Sequence, residues 1–325
     1  MPRHSAKLTP LIWALTTGEA GMRTQARALA MAAGGEVQEK IVGLPALCSR
    51  LPAGTPGLLR LLHPASDRLA PPWPDLIVSC GRRSAIVARA VRRAAGGRPR
   101  LAHVQDPRAG LREFDLVVAM RHDEVEGPNV IKTATALHEI TPQRLGAART
   151  AWESRFGALP RPLTAVMLGG PTSRSRFGLA EARRLGERLA ALRRATGGGA
   201  IIVPSRRTPA EVVALFLAEA AGDTGLWAWD RAGDNPYLGA LALADRLVVT
   251  GDSVSMVSEA LATPSPVEVF AEGLRPRHMG FHAKLVAEGQ VRLFDGQAVA
   301  ASPRTPIDAT AEAAAAVWRM MATRS

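Results

Sequence analysis

Short apolar runs alternate with longer amphipathic stretches along the whole chain, and this alternation constrains the fold more than any other feature. The runs are brief, rich in Val, Ile and Leu, and not strictly alternating, as in parallel strands buried on both faces. Apolar residues in the intervening stretches recur with a helical period. This order predicts doubly wound α/β structure. The predicted strands are Leu8–Leu15, Val37–Val42, Asp75–Cys80, Leu101–Gln105, Leu116–Met120, Val130–Lys132, Leu163–Leu168, Ala200–Val203, Leu226–Trp229, Arg246–Thr250 and Val267–Phe270.

A proline-containing stretch, residues 157–162, interrupts the alternation near the middle of the chain. No periodicity runs through it, so it is interpreted as a linker. A chain of 325 residues exceeds one ordinary core and suits two domains of about 150 residues each. We therefore expect two Rossmann-like doubly wound domains, residues 1–156 and 163–306, facing each other across a cleft. The predicted helices are Glu19–Ala33, Arg82–Ala95, Leu179–Arg194, Pro209–Ala221, Tyr237–Ala244, Ser255–Ala262 and Ile307–Ala322.

The composition, with 47% hydrophobic and 22% charged residues, is that of a globular chain. A net charge of +12 attracts phosphates or anionic membrane surfaces. Most arginines are scattered along helices, as solvated faces require, with a cluster at Arg92 and Arg93. One Tyr and seven Phe offer little base stacking and no nucleic-acid motif is present, so nucleic-acid binding is not expected.

Two cysteines, Cys48 and Cys80, make no disulfide framework and form no CxxC, which fits a reducing compartment. The apolar run at Leu8–Leu15 is too short to span a membrane. It leads directly into a Gly-rich turn and an amphipathic helix, so it is interpreted as a first strand and not as a signal peptide. We therefore expect a cytoplasmic protein.

Small and polar residues follow three strands of the second half, where helix N-termini and glycine turns can bind phosphate. The stretch from Thr250 to Ala260 is the most informative, because an apolar strand ends in Gly-Asp-Ser and a helix begins there, capped by Ser253 or Ser255. Glu259 in that helix could accept hydrogen bonds from ribose hydroxyls. Ordinary caps and turns remain the alternative. The predicted nucleotide-binding residues are Gly169, Gly170, Ser173, Arg174, Ser205, Arg206, Arg207, Asp252, Ser253, Ser255, Met256 and Glu259.

Candidate acid/base residues follow strands of the first half. His122 and Asp123 are the best pair, and Asp106 is a comparable candidate, so these three are the predicted catalytic residues. The turn after the first strand lacks the GxGxxG spacing of dinucleotide sites. No HExxH, His/Cys cluster, paired DxD or GxSxG is present, so neither a metal site nor the usual hydrolase serine is expected.

Seven segments resemble the bacterial branch of the mitochondrial fission protein family first known from plants. They are GEAGMRTQA, PDLIVSCGRRS, HVQDPR, FDLVVAMRHD, LGGPTSR, PSRRTP and NPYLGALALADRLVVTGDSVSMVSEA. This family is similar to GT-B glycosyltransferases, which implies that the first domain meets the acceptor and the second holds a nucleotide sugar. It also implies that a C-terminal helix, residues 307–325, crosses back to the first domain. The implied acceptor-side residues are Gly18, Glu19, Gly21, Gln25, Gly81 and Arg82.

One difference from such enzymes leaves the identity of the catalytic base undecided. Acceptor-side turns of such enzymes commonly carry a histidine, whereas Glu19, Arg23 and Gln25 stand here. The expected function is a metal-independent glycosyltransferase, or a relic of one, that uses a nucleotide-sugar donor as substrate and needs no cofactor. Its acceptor would be lipid-linked or part of the cell envelope, and an anionic membrane surface would bind it peripherally on the inner face.

Two alternatives remain. The resemblance itself implies a non-catalytic adaptor that recruits a partner protein, as the plant members recruit a dynamin-like GTPase. A sugar-nucleotide epimerase would need an acid and a base on opposite faces of the sugar, and few carboxylates stand at the predicted strand ends.

Overall fold

A computed structural model of the chain describes residues 9–45, 55, 57–172, 175–275, 279–299 and 303–323. Its contacts divide the chain into two compact units. The first unit comprises Met1–Glu139 with Asp308–Ser325, and the second comprises Ile140–Ile307. Cys48, Ser173 and Arg174, which the sequence analysis singled out, lie outside the described residues.

The first unit contains one parallel sheet of six strands in the order β2-β1-β3-β4-β5-β6. Strands β3, β4 and β5 are almost entirely buried, which explains their continuous apolar sequences. The strands are β1 (Leu11–Thr16), β2 (Glu36–Ile41), β3 (Leu76–Cys80), β4 (Arg100–Val104), β5 (Leu116–Met120) and β6 (Val130–Thr133).

Three helices cover this sheet, and they are α1 (Ala20–Ala33), α2 (Arg82–Ala94) and α9 (Ala309–Ala322). One core lies on the face covered by α1 and α9, where Ala26, Leu29 and Val317 pack against β1 and β3. A second core lies on the other face, where Val87 and Val91 of α2 pack against Trp13 and its neighbours. The C-terminal helix is therefore an integral layer of the first unit.

The second unit also contains a parallel six-stranded sheet, in the order β12-β11-β10-β7-β8-β9. Its core includes Val166, Leu189 and Phe216. The strands are β7 (Thr164–Leu168), β8 (Ala200–Pro204), β9 (Leu226–Ala228), β10 (Arg246–Thr250), β11 (Val267–Phe270) and β12 (Arg292–Leu293). The helices are α3 (Pro142–Phe156), α4 (Leu179–Thr196), α5 (Ala210–Ala221), α6 (Tyr237–Leu243), α7 (Val254–Leu261) and α8 (Gly280–Ala287).

Strand order reverses once in each sheet. The reversal lies between β1 and β3 in the first unit and between β7 and β10 in the second. Ligands of open α/β sheets bind outside the carboxyl ends of the strands at such a topological switch point, because the two chain segments leave it in opposite directions. A ligand-binding site is therefore expected at the connections after β1, β3, β7 and β10.

The predicted fold class, two Rossmann-like doubly wound domains of the GT-B kind, is confirmed, and every predicted strand overlaps a strand of the structure. Helices α3 and α8 and the short strand β12 were missed. The helix α3 belongs to the second unit, although the predicted boundary at residue 156 placed it in the first. The reason is its packing on α6, where Gly239 lies against the ring of Trp152.

No helix in the described part of the chain is long and apolar enough to span a bilayer. Within the same residues, no group of three or more His, Cys, Asp and Glu side chains is placed to hold a metal ion.

Candidate functional site

The carboxylate of Asp252, in the turn after β10, connects the strand ends at the switch point of the second unit. One carboxylate oxygen accepts from the amide of Gly170 at 3.1 Å and from the Arg207 guanidinium at 2.8 Å. The other accepts from the hydroxyl of Thr250 at 2.7 Å, and that hydroxyl in turn accepts from the amide of Gly169 at 2.7 Å. The Asp252 side chain is only 1% exposed, so it fixes the ends of two strands to each other.

The two glycines after β7 are required by this close approach. A Cβ atom at Gly169 would lie 2.1 Å from the Asp252 carboxylate, and one at Gly170 would lie 2.0 Å from the carbonyl oxygen of Arg207. Sequence reasoning predicted that these glycines cradle phosphate. The structure instead engages both of their amides with Thr250 and Asp252.

The two arginines in the turn after β8 have different surroundings. Arg207 donates to Asp252 and, at 3.3 Å, to the carbonyl of Gly170. Arg206 is exposed and lines a pocket. Thr208 does not cap the next helix, because its buried hydroxyl donates to the carbonyls of the β7 end. Ser205 bonds to Thr208 within the same turn.

The helix α7 begins directly after Asp252 and is capped by Ser253, which decides between the two predicted caps. The Ser253 hydroxyl accepts from the amide of Met256 at 3.4 Å. Within the described structure, the amides of Val254 and Ser255 make no hydrogen bond. Unsatisfied amides at a helix N-terminus attract anions, since the helix dipole places partial positive charge there. This end of α7 therefore presents backbone donors that no other group of the described structure engages.

A pocket of 380 Å³ lies beside this helix end, at the carboxyl edge of the second sheet. Its wall combines apolar and aromatic surface with hydrogen-bond donors and two guanidinium groups. Such a mixture is typical of ligand pockets, where apolar surface supplies binding free energy and a few polar groups fix orientation. The lining residues are Val203, Pro204, Ser205, Arg206, Trp229, Arg231, Asn235, Tyr237 and Met256.

Glu259 contacts this pocket through Tyr237. The phenol hydroxyl of Tyr237 donates a short hydrogen bond to the Glu259 carboxylate. Burial, followed by the neighbouring charge of Glu259, raises the pKa of Tyr237 well above its usual value. The tyrosine is therefore a neutral donor, and it connects the predicted ribose-binding carboxylate with the wall of the pocket.

Two neighbouring residues were missed by sequence reasoning. His282 of α8 is 1% exposed and its Nε2 lies 2.7 Å from the carbonyl of Gly251. Burial is the largest cause that lowers the pKa of His282, although Gly251 and Asp252 oppose it. Arg231 has a left-handed backbone, with φ of 72°, and donates to the carbonyls of Ser205 and Thr208. Neither residue lies in a recognisable motif, so only the tertiary contacts identify them.

The predicted acceptor-side residues meet at the switch point of the first unit. Gly18 has φ of 95° and Gly81 has φ of 91°, and a Cβ at Gly81 would lie 2.4 Å from the sulfur of Met22. The first turn of α1 thus packs directly on the turn after β3. Glu19 caps α1 through its backbone, while its side chain accepts from the Thr17 hydroxyl at 2.5 Å.

The remaining acceptor-side residues differ in exposure. Gly21 lies in the first turn of α1, and Gln25 is buried and donates to its carbonyl at 3.1 Å. Arg82 is the first residue of α2 and is exposed. Burial, followed by the charge of Glu19, raises the pKa of the Cys80 thiol beside this turn, which makes that cysteine an unreactive core residue.

The three predicted catalytic residues follow β4 and β5. Asp106 accepts from the backbone amide of Arg108 at 2.7 Å and pairs with its guanidinium at 3.2 Å. Nε2 of His122 lies 3.8 Å from a carboxylate oxygen of Asp123, whose other oxygen accepts from the amide of Met120. His122 and Asp123 are thus adjacent and partly exposed, and their catalytic role stays a prediction.

Comparison with solved structures shows a shared fold. The UDP-GlcNAc 2-epimerase from Methanocaldococcus jannaschii matches with a TM-score of 0.59 and 12% identity, covering 96% of this chain and 99% of that one. The UDP-N-acetylglucosamine 2-epimerase from Rickettsia bellii matches with a TM-score of 0.52 and 12% identity, covering 97% of each chain. The similarity at this identity is one of architecture.

Two further proteins share more sequence identity with this chain than these structures do. An uncharacterized protein of Rickettsia prowazekii (strain Madrid E) is 25% identical over 271 residues, which are 72% of this chain and 75% of that protein. Mitochondrial fission protein ELM1 of Arabidopsis thaliana is 33% identical over 304 residues, which are 86% of this chain and 70% of that protein. Residues 20–321 match the family described as Mitochondrial fission ELM1, and the chain, with its two doubly wound units, belongs to that family.

Proposed function

We propose that the second unit binds the nucleoside diphosphate of a nucleotide sugar. The chain would then act as a metal-independent glycosyltransferase of the GT-B kind, or be a relic of one. The observation that carries this proposal is the 380 Å³ pocket beside the open amino end of α7, at the switch point of the sheet. A pocket for a base and an anion-binding helix end are thereby adjacent.

Each part of the ligand has a matching group. The base would lie against Trp229 and Met256, and the ribose hydroxyls would meet the pair formed by Tyr237 and Glu259. The diphosphate would take the amides at the start of α7 and the guanidinium of Arg206, which pairs well with phosphate oxygens. Structures of the same fold include a UDP-GlcNAc 2-epimerase from Neisseria meningitidis bound to UDP-GlcNAc, with a TM-score of 0.51 and 10% identity.

Transfer would also require a base in the first unit. Asp106, His122 and Asp123 are the candidates, each at the carboxyl edge of the first sheet. A lipid-linked or cell-envelope acceptor, reached by peripheral contact with an anionic membrane, is consistent with the net charge of +12.

The binding step is tested by thermal unfolding with UDP, GDP, CMP and their sugars. A nucleotide at 100 times its dissociation constant should add about 2.7 kcal/mol to the free energy of unfolding. Glu259→Ala should abolish that gain, because it removes the carboxylate that holds the ribose. The control Glu187→Ala removes an exposed carboxylate of α4 and should keep it. A stabilisation that survives in Glu259→Ala would contradict the assigned site.

The chemical step is tested with a labelled donor and membrane lipid. Transfer of label to lipid that is lost in Asp106→Asn or Asp123→Asn would identify the enzyme and its base. Conversion of UDP-GlcNAc to another sugar nucleotide without any acceptor would instead indicate an epimerase.

One observation favours the adaptor alternative. The buried carboxylate of Asp252 occupies the centre of the switch point and takes up the amide of Gly170 and the guanidinium of Arg207. These two donors are then not available to a diphosphate. Absence of stabilisation by every nucleotide would favour a non-catalytic protein that keeps the fold and recruits a partner.

A further inference from the structure

An arginine-lined pocket lies at the start of α2 in the first unit. Its volume is 260 Å³, and the residues that line it include four arginines and no carboxylate. Arg82 and Arg83 are exposed and make no ion pair or side-chain hydrogen bond with any described residue. The lining residues are Arg82, Arg83, Ile86, Arg89, Pro107, Arg108 and Ala109.

The neighbouring arginines are ion-paired. Asp115 accepts from Arg92 at 2.9 Å and from Arg100 at 2.7 Å. Glu113 pairs with Arg93 at 3.1 Å and with Arg89, and these interactions lower the pKa of Glu113, most of all the hydrogen bond from Arg89. Two carboxylates therefore pair with four guanidinium groups of α2 and β4, whereas Arg82 and Arg83 at the start of α2 have no carboxylate partner among the described residues.

Arg108 completes the pocket from the next connection. Asp106 accepts from its backbone amide and pairs with its Nε, which fixes Arg108 at the end of β4. Arg82, Arg83 and Arg108 thus line one cavity from two segments of the chain. Guanidinium groups pair bidentately with phosphate oxygens, and Arg82 and Arg83, which have no carboxylate partner among the described residues, would find a partner in an anionic ligand.

We propose that this pocket binds a phosphate or diphosphate group. The proposal goes beyond nucleotide binding, because the pocket lies in the first unit and shares no residue with the pocket of the second. The phosphate could belong to the headgroup of an anionic lipid or to a soluble phosphorylated molecule, and both present the same chemistry to the arginines.

The test uses the full chain with two probes. Inorganic pyrophosphate, titrated calorimetrically in the absence of nucleotide, represents a soluble ligand. Phosphatidylcholine vesicles containing phosphatidic acid, used in flotation, represent a lipid headgroup. The variant Arg82→Gln/Arg83→Gln should weaken binding about tenfold or more, since it removes charge-assisted hydrogen bonds.

Two controls separate a specific pocket from general attraction. Arg183→Gln/Arg194→Gln removes the same two charges from exposed positions of α4, and Arg93→Gln removes an arginine of α2 that Glu113 already neutralises. Both should bind the probes as the wild type does. Circular dichroism and unfolding of each variant without ligand verify that it is folded.

The outcomes are distinguishable. Selective loss with pyrophosphate alone supports a soluble ligand, and selective loss with the vesicles supports a lipid headgroup. The proposal is overturned if the wild type binds neither probe, if the pocket variant binds as the wild type does, or if Arg183→Gln/Arg194→Gln loses binding equally. Thermal stabilisation by nucleotide is measured on the pocket variant as well. If it persists there, the result for the arginine pocket leaves the nucleotide site of the second unit unaffected.

Discussion

The glycine pair after β7 shows how single residues set the geometry of the switch point. Neither Gly169 nor Gly170 has a left-handed backbone, so each is required for space and not for its conformational freedom. The space is taken by Asp252 and by the backbone of Arg207, which come from two other connections of the sheet. A side chain at either glycine would separate the strand ends.

Gly170→Ala is expected to destabilise the protein by about 1–3 kcal/mol, the usual cost of overpacking. The added Cβ would lie 2.0 Å from the carbonyl oxygen of Arg207, so the turn after β8 must move. The measurement is urea unfolding at equilibrium. Gly222→Ala is the matched control, because nothing lies within 4 Å of a Cβ there. Equal stability of the two variants would contradict the steric account.

A buried histidine gives the stability of the first unit a pH dependence. His103 of β4 is fully buried, and its Nδ1 lies 2.8 Å from the hydroxyl of Ser79 on the adjacent strand. Burial lowers the pKa of His103 from 6.5 to about 3. Below pH 6.5 the unfolded chain therefore binds a proton at this residue that the folded chain does not. The free energy of unfolding consequently decreases as the pH falls from 6.5 towards 3, whereas His103 causes no such decrease above pH 6.5.

His103→Gln should reduce the slope of unfolding free energy against pH by about 1.4 kcal/mol per pH unit within that window. Glutamine retains a partner for Ser79, so the folded variant remains measurable. Urea unfolding at a series of pH values gives the slope, and His63→Gln, which removes an exposed imidazole, is the control. If the slope of His103→Gln equals that of the wild type, His103 is not the group that titrates.

At the scale of elements, α3 and α6 pack through one aromatic cluster. Trp152 stacks on Phe156 with ring centroids 5.2 Å apart, and Phe156 meets Trp227 edge to face at 5.2 Å. Gly239 of α6 lies directly on this cluster, since a Cβ there would be 2.3 Å from the Trp152 ring. Phe156 is the buried residue of α3, which explains why its apolar periodicity was too weak to predict a helix.

Gly239→Ala is expected to lower the stability of the second unit by about 1–3 kcal/mol, although alanine favours helix more than glycine. Gly146→Ala, at an exposed position of α3 with open space around it, should instead raise stability by about 0.5–1 kcal/mol. Both are measured by urea unfolding followed by tryptophan fluorescence. A stabilised Gly239→Ala would show that the helices can separate without cost.

At the scale of the whole molecule, the C-terminal helix belongs to the first unit although the entire second unit precedes it in sequence. Ala309, Ala313 and Val317 of α9 are fully buried in the core beside α1. The hydroxyl of Thr310 accepts from the amide of His138 at 2.9 Å and donates to its carbonyl at 2.8 Å. The first unit is therefore completed only when the last residues of the chain are present.

This arrangement predicts different behaviour of two fragments. Residues 140–307 should fold alone and retain any stabilisation by nucleotide, because their sheet and core are complete. Residues 1–139 should be unfolded or partly folded until a peptide of residues 308–325 is added, since one face of their sheet is otherwise exposed. Circular dichroism of each fragment is the measurement, and a stably folded fragment 1–139 would contradict the role given to α9.

Sequence by itself determined the class of fold, because buried parallel strands must be continuously apolar and helices that cover them must be amphipathic. It also identified the connections after β1, β3, β7 and β10 and narrowed the cap of α7 to Ser253 or Ser255, of which the structure selects Ser253. Tertiary structure decided which groups in those connections are already engaged. Thr250 and Asp252 accept from the glycine amides, Arg207 donates to Asp252, and Tyr237 donates to Glu259, through contacts between different segments of the chain. No local pattern encodes such contacts, since they depend on which strands lie next to each other in the sheet.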